Sequence, residues 1–476
     1  MEKTIVAVEL GSSKISGVAG RVNTDGSLEV LAYAWTPVES CIRHGAVYNM
    51  DRTANAIATV ISRLDSVLES HIEKVFLGYN ARTLRTIPSV VERSFETETV
   101  IDAEMVDGMY GADEVLDADS LVTLVHEAQE YVIDGRKATE TDPVGVACQS
   151  IRCNFMNVVI SCPVAEFMAQ CFATAQIEIL DGFVSPIAQA RIALTEEERQ
   201  QGCALIDYGA DTTTVSVYKN GLLRYLRVIP LGSALITKDL AAVLGIERES
   251  AEMLKRTYGL CNMTKTVDAQ QTIELSGKQR TIEEIGDIIG ARNEEIVRNV
   301  VARISDSGYS DKLGSGVVIT GGGSRLAGLQ QVFSALMPDK KVRFITEPVV
   351  GVNWSEPSWN KNDGSQMGLL AVMAMGNENC CTVNSVQPKM DAIEQMTPGQ
   401  LQKMEMQSIF TVDGENAQVE RDRQEQELAR QKREQELASA TVGQDDAPQK
   451  PAKKVSAFMK LLQRAIETGE NYLQGK

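Results

Sequence analysis

Two stretches of this chain, VAVELG at residues 6–11 and LIDYG at residues 205–209, end an apolar run with an acid placed two residues before a glycine. The first continues into Ser12, Ser13 and Lys14, the second into Ala210, Asp211 and Thr212 to Thr214, and each is followed by another apolar stretch of strand type. A hairpin of this kind used twice at a long distance implies two related lobes facing each other across a cleft. A strand ending in acid-x-Gly and followed by hydroxyls can aim backbone N–H and O–H groups at an anion while the acid reaches a bound cation. Alone, either stretch is weak, because Gly- and Thr-rich hairpins are common and most bind nothing.

The order around the two hairpins repeats as well. TIVAVELGSSKISGVAGRV, NTDG and SLEVLAYAWT read as a strand, a turn and two further strands, followed by helical spacing over residues 51–70 and the strand KVFLGYN. After a helical stretch at 187–200, CALIDYGADTTTVSVYKNGLLRYLRVIPLG gives three strands with an Asn-Gly turn, leading into a helix from Ser233 to Leu244. The expected fold is α/β, two lobes built from duplicated βββαβα units. Residues 1–81, continued at 163–200, form the first lobe; 201–236 and 306–378 form the second. Residues 82–162 and 237–305 read as insertions, the latter largely helical with a strand pair around KTVDAQQTIELSGKQR.

A third element, GVVITGGGSRLAGLQQVF at 316–333, runs a strand into Gly321, Gly322, Gly323 and Ser324 and then a helical pattern. Without a Cβ in the way, backbone there can approach a planar ring or ribose. Strand-Gly-helix units also occur as plain tight connections.

The net charge of −18 argues against nucleic acid as a partner, since affinity for its backbone comes mainly from Lys and Arg. Nine cysteines without a C-x-x-C pair, and three histidines, favour reduced thiols over a zinc site. The N-terminus enters a strand directly, so a cytoplasmic chain able to touch a membrane surface is expected.

The order phosphate turn, insertion, phosphate turn, insertion, triple-Gly turn resembles the actin-like ATPase superfamily and, within it, the FtsA family of bacterial cell division. The likeness covers essentially residues 1–376. YVIDGRKATETDPVGVACQSIRCNFMNVVI is similar to the insertion of that family, and AEMLKRTYG at 251–259 resembles its AE-x-x-K helix. The resemblance implies ATP with Mg²⁺ in the cleft. Gly11, Ser12, Ser13, Lys14, Asp207, Gly209, Thr212 and Thr213 would surround the phosphates. Glu252, Lys255, Gly321, Gly322, Gly323 and Ser324 would line the adenosine side, while Glu9 and Asp207 would hold the metal. Asp207, Glu9 and Gln189 are the catalytic candidates, Gln189 as the residue that positions water. A surface pair remains the plain reading of Glu252 and Lys255, an Asx turn that of Asp207, and an ordinary core-edge side chain that of Gln189.

The departures bear on catalysis. The family's first turn usually begins with Asp, where this chain has Glu9. In the second, Ala210, Asp211 and Thr214 stand at two glycines and an acid of the usual pattern Asp-x-Gly-Gly-Gly-Thr-Thr-Asp. A carboxylate about 4 Å from a phosphate oxygen costs on the order of 4 kcal/mol at an effective dielectric near 20. Asp211 therefore has a cation beside it, turns to solvent, or weakens nucleotide binding. ATP binding with weak or absent hydrolysis is the expectation.

Residues 379–452 form a charged spacer and linker, with helix formers carrying charge on every face at 415–440. At 453–474, helical spacing puts Val455, Phe458, Met459, Leu462, Ile466 and Leu473 on one face. Lys460, Gln463, Arg464, Glu467 and Asn471 lie opposite, and the segment is basic on an acidic chain. Such an amphipathic helix on a flexible tether suits anionic lipid at a bilayer surface, with Lys460 and Arg464 adding attraction; docking onto the body or a partner is the rival reading. By resemblance the chain would tether the tail of the division protein FtsZ to the cytoplasmic face of the inner membrane at the division site, form protofilaments, and meet later division proteins. The second insertion would capture the FtsZ tail, and the first would supply filament contacts. A pilus- or secretion-assembly adaptor and an actin-fold small-molecule kinase are the alternatives.

Overall fold

The first lobe starts with a meander of β1 (Ile5–Leu10), β2 (Lys14–Val22) and β3 (Leu28–Pro37). A small hairpin, β4 (Ile42–Arg43) and β5 (Ala46–Val47), leads into α1 (Met50–Leu68), then β6 (His71–Ile72) and β7 (Lys74–Tyr79). Next come β8 (Arg85–Val100), α2 (Ala103–Tyr110), β9 (Leu121–Ile133), β10 (Arg136–Lys137) and β11 (Ala147–Ser161). The lobe closes with α3 (Cys162–Thr174), β12 (Glu178–Val184), α4 (Ser185–Ala193) and α5 (Glu196–Gln201).

The second lobe opens with β13 (Cys203–Tyr208), β14 (Thr213–Lys219) and β15 (Leu222–Ile229). Helices α6 (Ser233–Leu244) and α7 (Arg248–Tyr258), the pair β16 (Thr272–Leu275) and β17 (Lys278–Thr281), and α8 (Ile282–Asp306) follow. The described chain ends with β18 (Gly316–Thr320), α9 (Leu329–Leu336), β19 (Val342–Phe344), β20 (Val352–Trp354), α10 (Met367–Met375) and β21 (Cys381–Thr382). This computed structural model describes residues 3–382 apart from 39–40, 114–119, 138–141, 259–271 and 276. The spacer and the amphipathic helix of the sequence reading, with Val455 to Leu473, lie outside the described residues.

The two sheets repeat one topology. Their matching strands run β12-β7-β1-β2-β3 and β19-β18-β13-β14-β15. In both, the meander is antiparallel, and the fourth and fifth strands add in parallel beside the first. Helices cover both faces of the first sheet, so its central strands are buried throughout rather than alternating. A Cβ at Gly17 would come 2.8 Å from Val60 and 2.9 Å from Leu64 of α1, and one at Gly20 would come 2.8 Å from Met373 of α10. Both glycines let a helix sit close on β2. Along β13 the period of two does appear. Cys203 and Leu205 join the core shared with the first lobe, while Ala204, Ile206 and Tyr208 join the core under α6, α8 and α9. Asp207 continues the first set.

Four features differ from the sequence reading. The end of the range 306–378 read as second lobe returns to the first, where β20 pairs in parallel with β3 and α10 packs on β1 and β2. The helix read over 187–200 is two helices, because Thr195 and Glu198 form a reciprocal capping box that starts α5. The triple glycine leads first into a 3-10 turn at Gly322–Arg325, and α9 begins only after Gly328 at φ 81°. Strands β8, β9, β10 and β11 prolong the second sheet beyond β15, through pairing of Arg85 with Arg227. Of the strand pair read around 265–280, residues 265–271 lie outside the described residues.

One buried polar contact ties β13 to α8: the Tyr208 hydroxyl donates to Asn293 Oδ1 at 2.6 Å, with both residues buried. Tyr208→Phe is expected to destabilise the protein by about 1–3 kcal/mol, because Asn293 loses a buried donor. A urea-unfolding midpoint unchanged from the native chain would refute it.

Candidate functional site

The two turns are built alike. Gly11 N–H donates to Lys14 O at 3.1 Å, and Gly209 N–H donates to Thr212 O at 2.9 Å. A Cβ at either glycine would press on that same carbonyl, at 2.7 and 2.8 Å. The strands close on Leu10 with Ile15 in one and on Tyr208 with Thr213 in the other. Ser12 thus corresponds to Ala210, Ser13 to Asp211, and Lys14 to Thr212.

The acids stand just ahead of these turns, each partly buried between buried neighbours. Gln189 of α4, 2 % exposed, donates from Nε2 to Asp207 Oδ2 at 3.2 Å, and its Oε1 has no partner among the described residues. Glu9 packs against α10, where a Cβ on Gly368 would lie 2.7 Å from its Oε1. Burial, reinforced by the facing Asp207 and opposed by Lys14, pushes the Glu9 carboxyl up to about 7. Burial also raises Asp207, against the pull of the Gln189 hydrogen bond. Both acids therefore hold protons more firmly than free carboxylates, and a cation placed between them would relieve that cost.

Lys14 reaches back over the cleft and donates to the Tyr33 hydroxyl at 3.3 Å and to Ser365 Oγ at 3.4 Å. Burial lowers its pKa, with Asp363 and Glu9 working the other way. The 363–365 loop and Tyr33 were not among the residues singled out by sequence. The signal for that loop was its turn composition, NDGS, in which Asp363 Oδ1 accepts Ser365 N–H.

Gly321, at φ 91° and ψ 157°, lies against the second turn; a Cβ there would sit 2.4 Å from Asp207 Oδ1 and 2.6 Å from Tyr208 O. Gly323 stacks on the same carbonyl, and Gly364 lies on the backbone of Gly321. Gly322 is exposed, Ser324 is buried, and Thr320 Oγ1 is buried without a partner among the described residues. Lys255, 7 % exposed, pairs with Glu252 Oε2 at 2.7 Å and donates to Thr237 Oγ1 at 2.9 Å and Ser233 O at 3.2 Å. Ser233 N–H in turn donates to Gly209 O, which links the Glu252 and Lys255 helix to the second turn. Thr213 is buried, and its hydroxyl donates to Leu231 O at 2.8 Å. Thr212 and Ser13 keep exposed surface.

Asp211 is engaged by the first lobe: its Oδ2 accepts the His44 N–H at 3.3 Å, and its carbonyl O lies 3.3 Å from His44 Nδ1. Ser12 Oγ accepts Gly45 N–H at 3.1 Å. The β4–β5 tip therefore touches both turns.

Chemically, paired glycine turns with Glu9 and Asp207 at their roots suit a hard divalent cation beside an anionic ligand, since Mg²⁺ commonly uses one or two carboxylates and takes its other oxygens from water or phosphate. No group of three or more His, Cys, Asp or Glu side chains suited to a metal occurs among the described residues.

The duplicated sheets and the turns between them define an actin-like fold. In the PilM-PilN type IV pilus biogenesis complex, a chain with the same fold is 15% identical, with a TM-score of 0.55 over 78% of this chain and 97% of that one. A family model described as Cell division protein FtsA matches residues 204–360. Cell division protein FtsA of Pseudomonas aeruginosa is 28% identical over 68% of this chain and 79% of its own length. The FtsA proteins of Bacillus subtilis and Escherichia coli K12 are 28% and 23% identical, over 73% and 70% of this chain and 79% and 82% of their own lengths. These likenesses support a cell-division actin-like protein, similar in sequence to the FtsA proteins.

Proposed function

We propose that the chain binds ATP with Mg²⁺ between the two turns and tethers FtsZ to the cytoplasmic face of the cell membrane at the division site, assembling into protofilaments there. The observation that carries the nucleotide reading is the pair of matching turns with Glu9 and Asp207 at their roots. The residues suit the ligand. Gly11 and Gly209 close their turns, which would leave the N–H groups of the residues between to meet phosphate, and Gln189 Oε1 and Thr320 Oγ1 have polar capacity to spare among the described residues. When bound, Mg²⁺ would neutralise phosphate charge and draw on Glu9 and Asp207, directly or through water. Lys14 would add a positive charge beside the first turn, and Gln189 would fix the orientation of Asp207.

The membrane half of the proposal rests on the basic amphipathic pattern at 453–474 and on the family resemblance of the sequence. Capture of FtsZ by 237–305, and filament contacts by 82–162, rest on the resemblance alone. The test has three arms. Fluorescent ATP should bind the full chain more tightly with Mg²⁺ than with EDTA. Vesicles containing anionic lipid should float the full chain but leave behind a version ending before Lys450. An immobilised FtsZ tail peptide should retain both versions. A full chain that stays at the bottom of the gradient would remove the tether, and equal ATP binding with and without Mg²⁺ would remove the metal from the cleft.

A further inference from the structure

We infer that the His44–Gly45 tip is a slot for the terminal phosphate of a nucleoside triphosphate, and that Asp211 occupies this slot as an internal stand-in. The inference rests on the reading of the cleft as a nucleotide site.

The tip is a two-residue hairpin turn with both residues in the left-handed region, His44 at φ 50° and Gly45 at φ 69°. That is the signature of a type I′ turn, whose first central position usually carries Asn, Asp or Gly. A histidine there is uncommon, and unusual backbone conformations concentrate at functional sites. Here the conformation sends two successive N–H groups to the two phosphate turns: Gly45 N–H to Ser12 Oγ and His44 N–H to Asp211 Oδ2. Successive backbone N–H groups of this kind form small concave anion sites. A carboxylate and a phosphate present the same charged oxygen acceptor to such a site.

The tip is also held from behind. Arg82 N–H donates to His44 O at 3.3 Å, and a Cβ on Gly45 would lie 2.7 Å from Asn80 O. These contacts, like that to Ser12, stay within the first lobe. The bond to Asp211 crosses to the second lobe. A phosphate taking the His44 N–H would displace that carboxylate and repel it, so the carboxylate tie across the cleft would open when a triphosphate binds, leaving the contact of His44 Nδ1 with the Asp211 carbonyl. A diphosphate, lacking the terminal group, would leave the tie closed. The acid that departs from the family pattern thereby becomes the element that distinguishes the two nucleotides.

Fluorescent ATP and ADP, each with Mg²⁺, are titrated onto the full chain, Asp211→Gly and Asp211→Asn, and amide hydrogen exchange is followed on peptides covering residues 41–49. Asp211→Gly should bind ATP about tenfold more tightly while ADP affinity changes by less than about twofold. Without nucleotide, its 41–49 segment should exchange faster than in the native chain, and ATP but not ADP should restore protection. Asp211→Asn, which keeps an acceptor without the charge, should fall between the two. Equal gains for ATP and ADP, or protection at 41–49 that ignores ATP, would overturn the slot while leaving the cleft reading intact. Failure of every variant and the native chain to bind nucleotide would take down the cleft reading and the slot with it.

Discussion

Gly321→Ala is expected to lower the unfolding free energy by about 3–5 kcal/mol, a large share of what a domain has to lose. Two costs add at this position. Its backbone, at φ 91° and ψ 157°, lies in a region that is essentially glycine-only. The new methyl would also sit 2.4 Å from Asp207 Oδ1 and 2.6 Å from Tyr208 O, contacts that force backbone or a cleft carboxylate to move. Two controls separate the costs. Gly26 has φ 83° and no atom within 4 Å of an added Cβ, so Gly26→Ala carries the backbone cost alone, about 1 kcal/mol. Gly322 is free of the positive φ and meets only Ser365 Cβ at 3.3 Å, so Gly322→Ala should be close to neutral. Urea-unfolding midpoints would check the series. A Gly321→Ala midpoint no lower than that of Gly26→Ala would mean that the triple-Gly corner does not press on Asp207 as described.

The contrast between Gly209 and Gly321 also marks what was legible in the sequence. The hydrogen bond closing the Gly209 turn reaches three residues along the chain, and the acid, the glycine and the flanking alternation all lie within one short window. The same holds for Gly11, so the duplication could be read directly. The partners of Lys14 could not: Ser365 lies 351 residues away, and nothing local to Lys14 points to it. The position of Gly321 against Asp207 depends on parallel pairing of β18 with β13 across α6, α7 and α8. His44 and Gly45 form the turn between two two-residue strands too short to give a periodic signal. The contact of Asp211 with His44 was illegible for the same reason, since its partner is a backbone N–H, and no residue type announces one. The extension of the second sheet by β8 has one ladder pair, Arg85 opposite Arg227, a pairing of like charges that sequence would argue against, beside hydrogen bonds of the Thr86 hydroxyl with the Leu226 backbone.

Glu9→Gln is expected to stabilise the chain at pH 8 and to have little effect near pH 4.5. The direction follows from proton counting. Glu9 in the folded protein has its pKa raised to about 7 from 4.5, by burial first and by Asp207 second. Between those values the folded state holds a proton that the unfolded state has released, so stability falls as pH rises through the window. Above it the full cost of ionising Glu9 is present, on the order of 3 kcal/mol at about 1.4 kcal/mol per pKa unit. Glutamine removes the titration and with it this loss. Asp207 is displaced in the same direction, so the native chain should show a stability decline steeper than Glu9 alone would give. On the proposed reading of the cleft, magnesium should reverse the balance: a cation drawn to ionised Glu9 and Asp207 would stabilise the folded state by mass action, and more so at pH 8 than at pH 5. Unfolding midpoints of the two chains from pH 4.5 to 8.5, with and without Mg²⁺, give the comparison. Parallel curves for native chain and variant would show that Glu9 does not ionise at a cost, and equal stabilisation of both by Mg²⁺ would place the cation away from it.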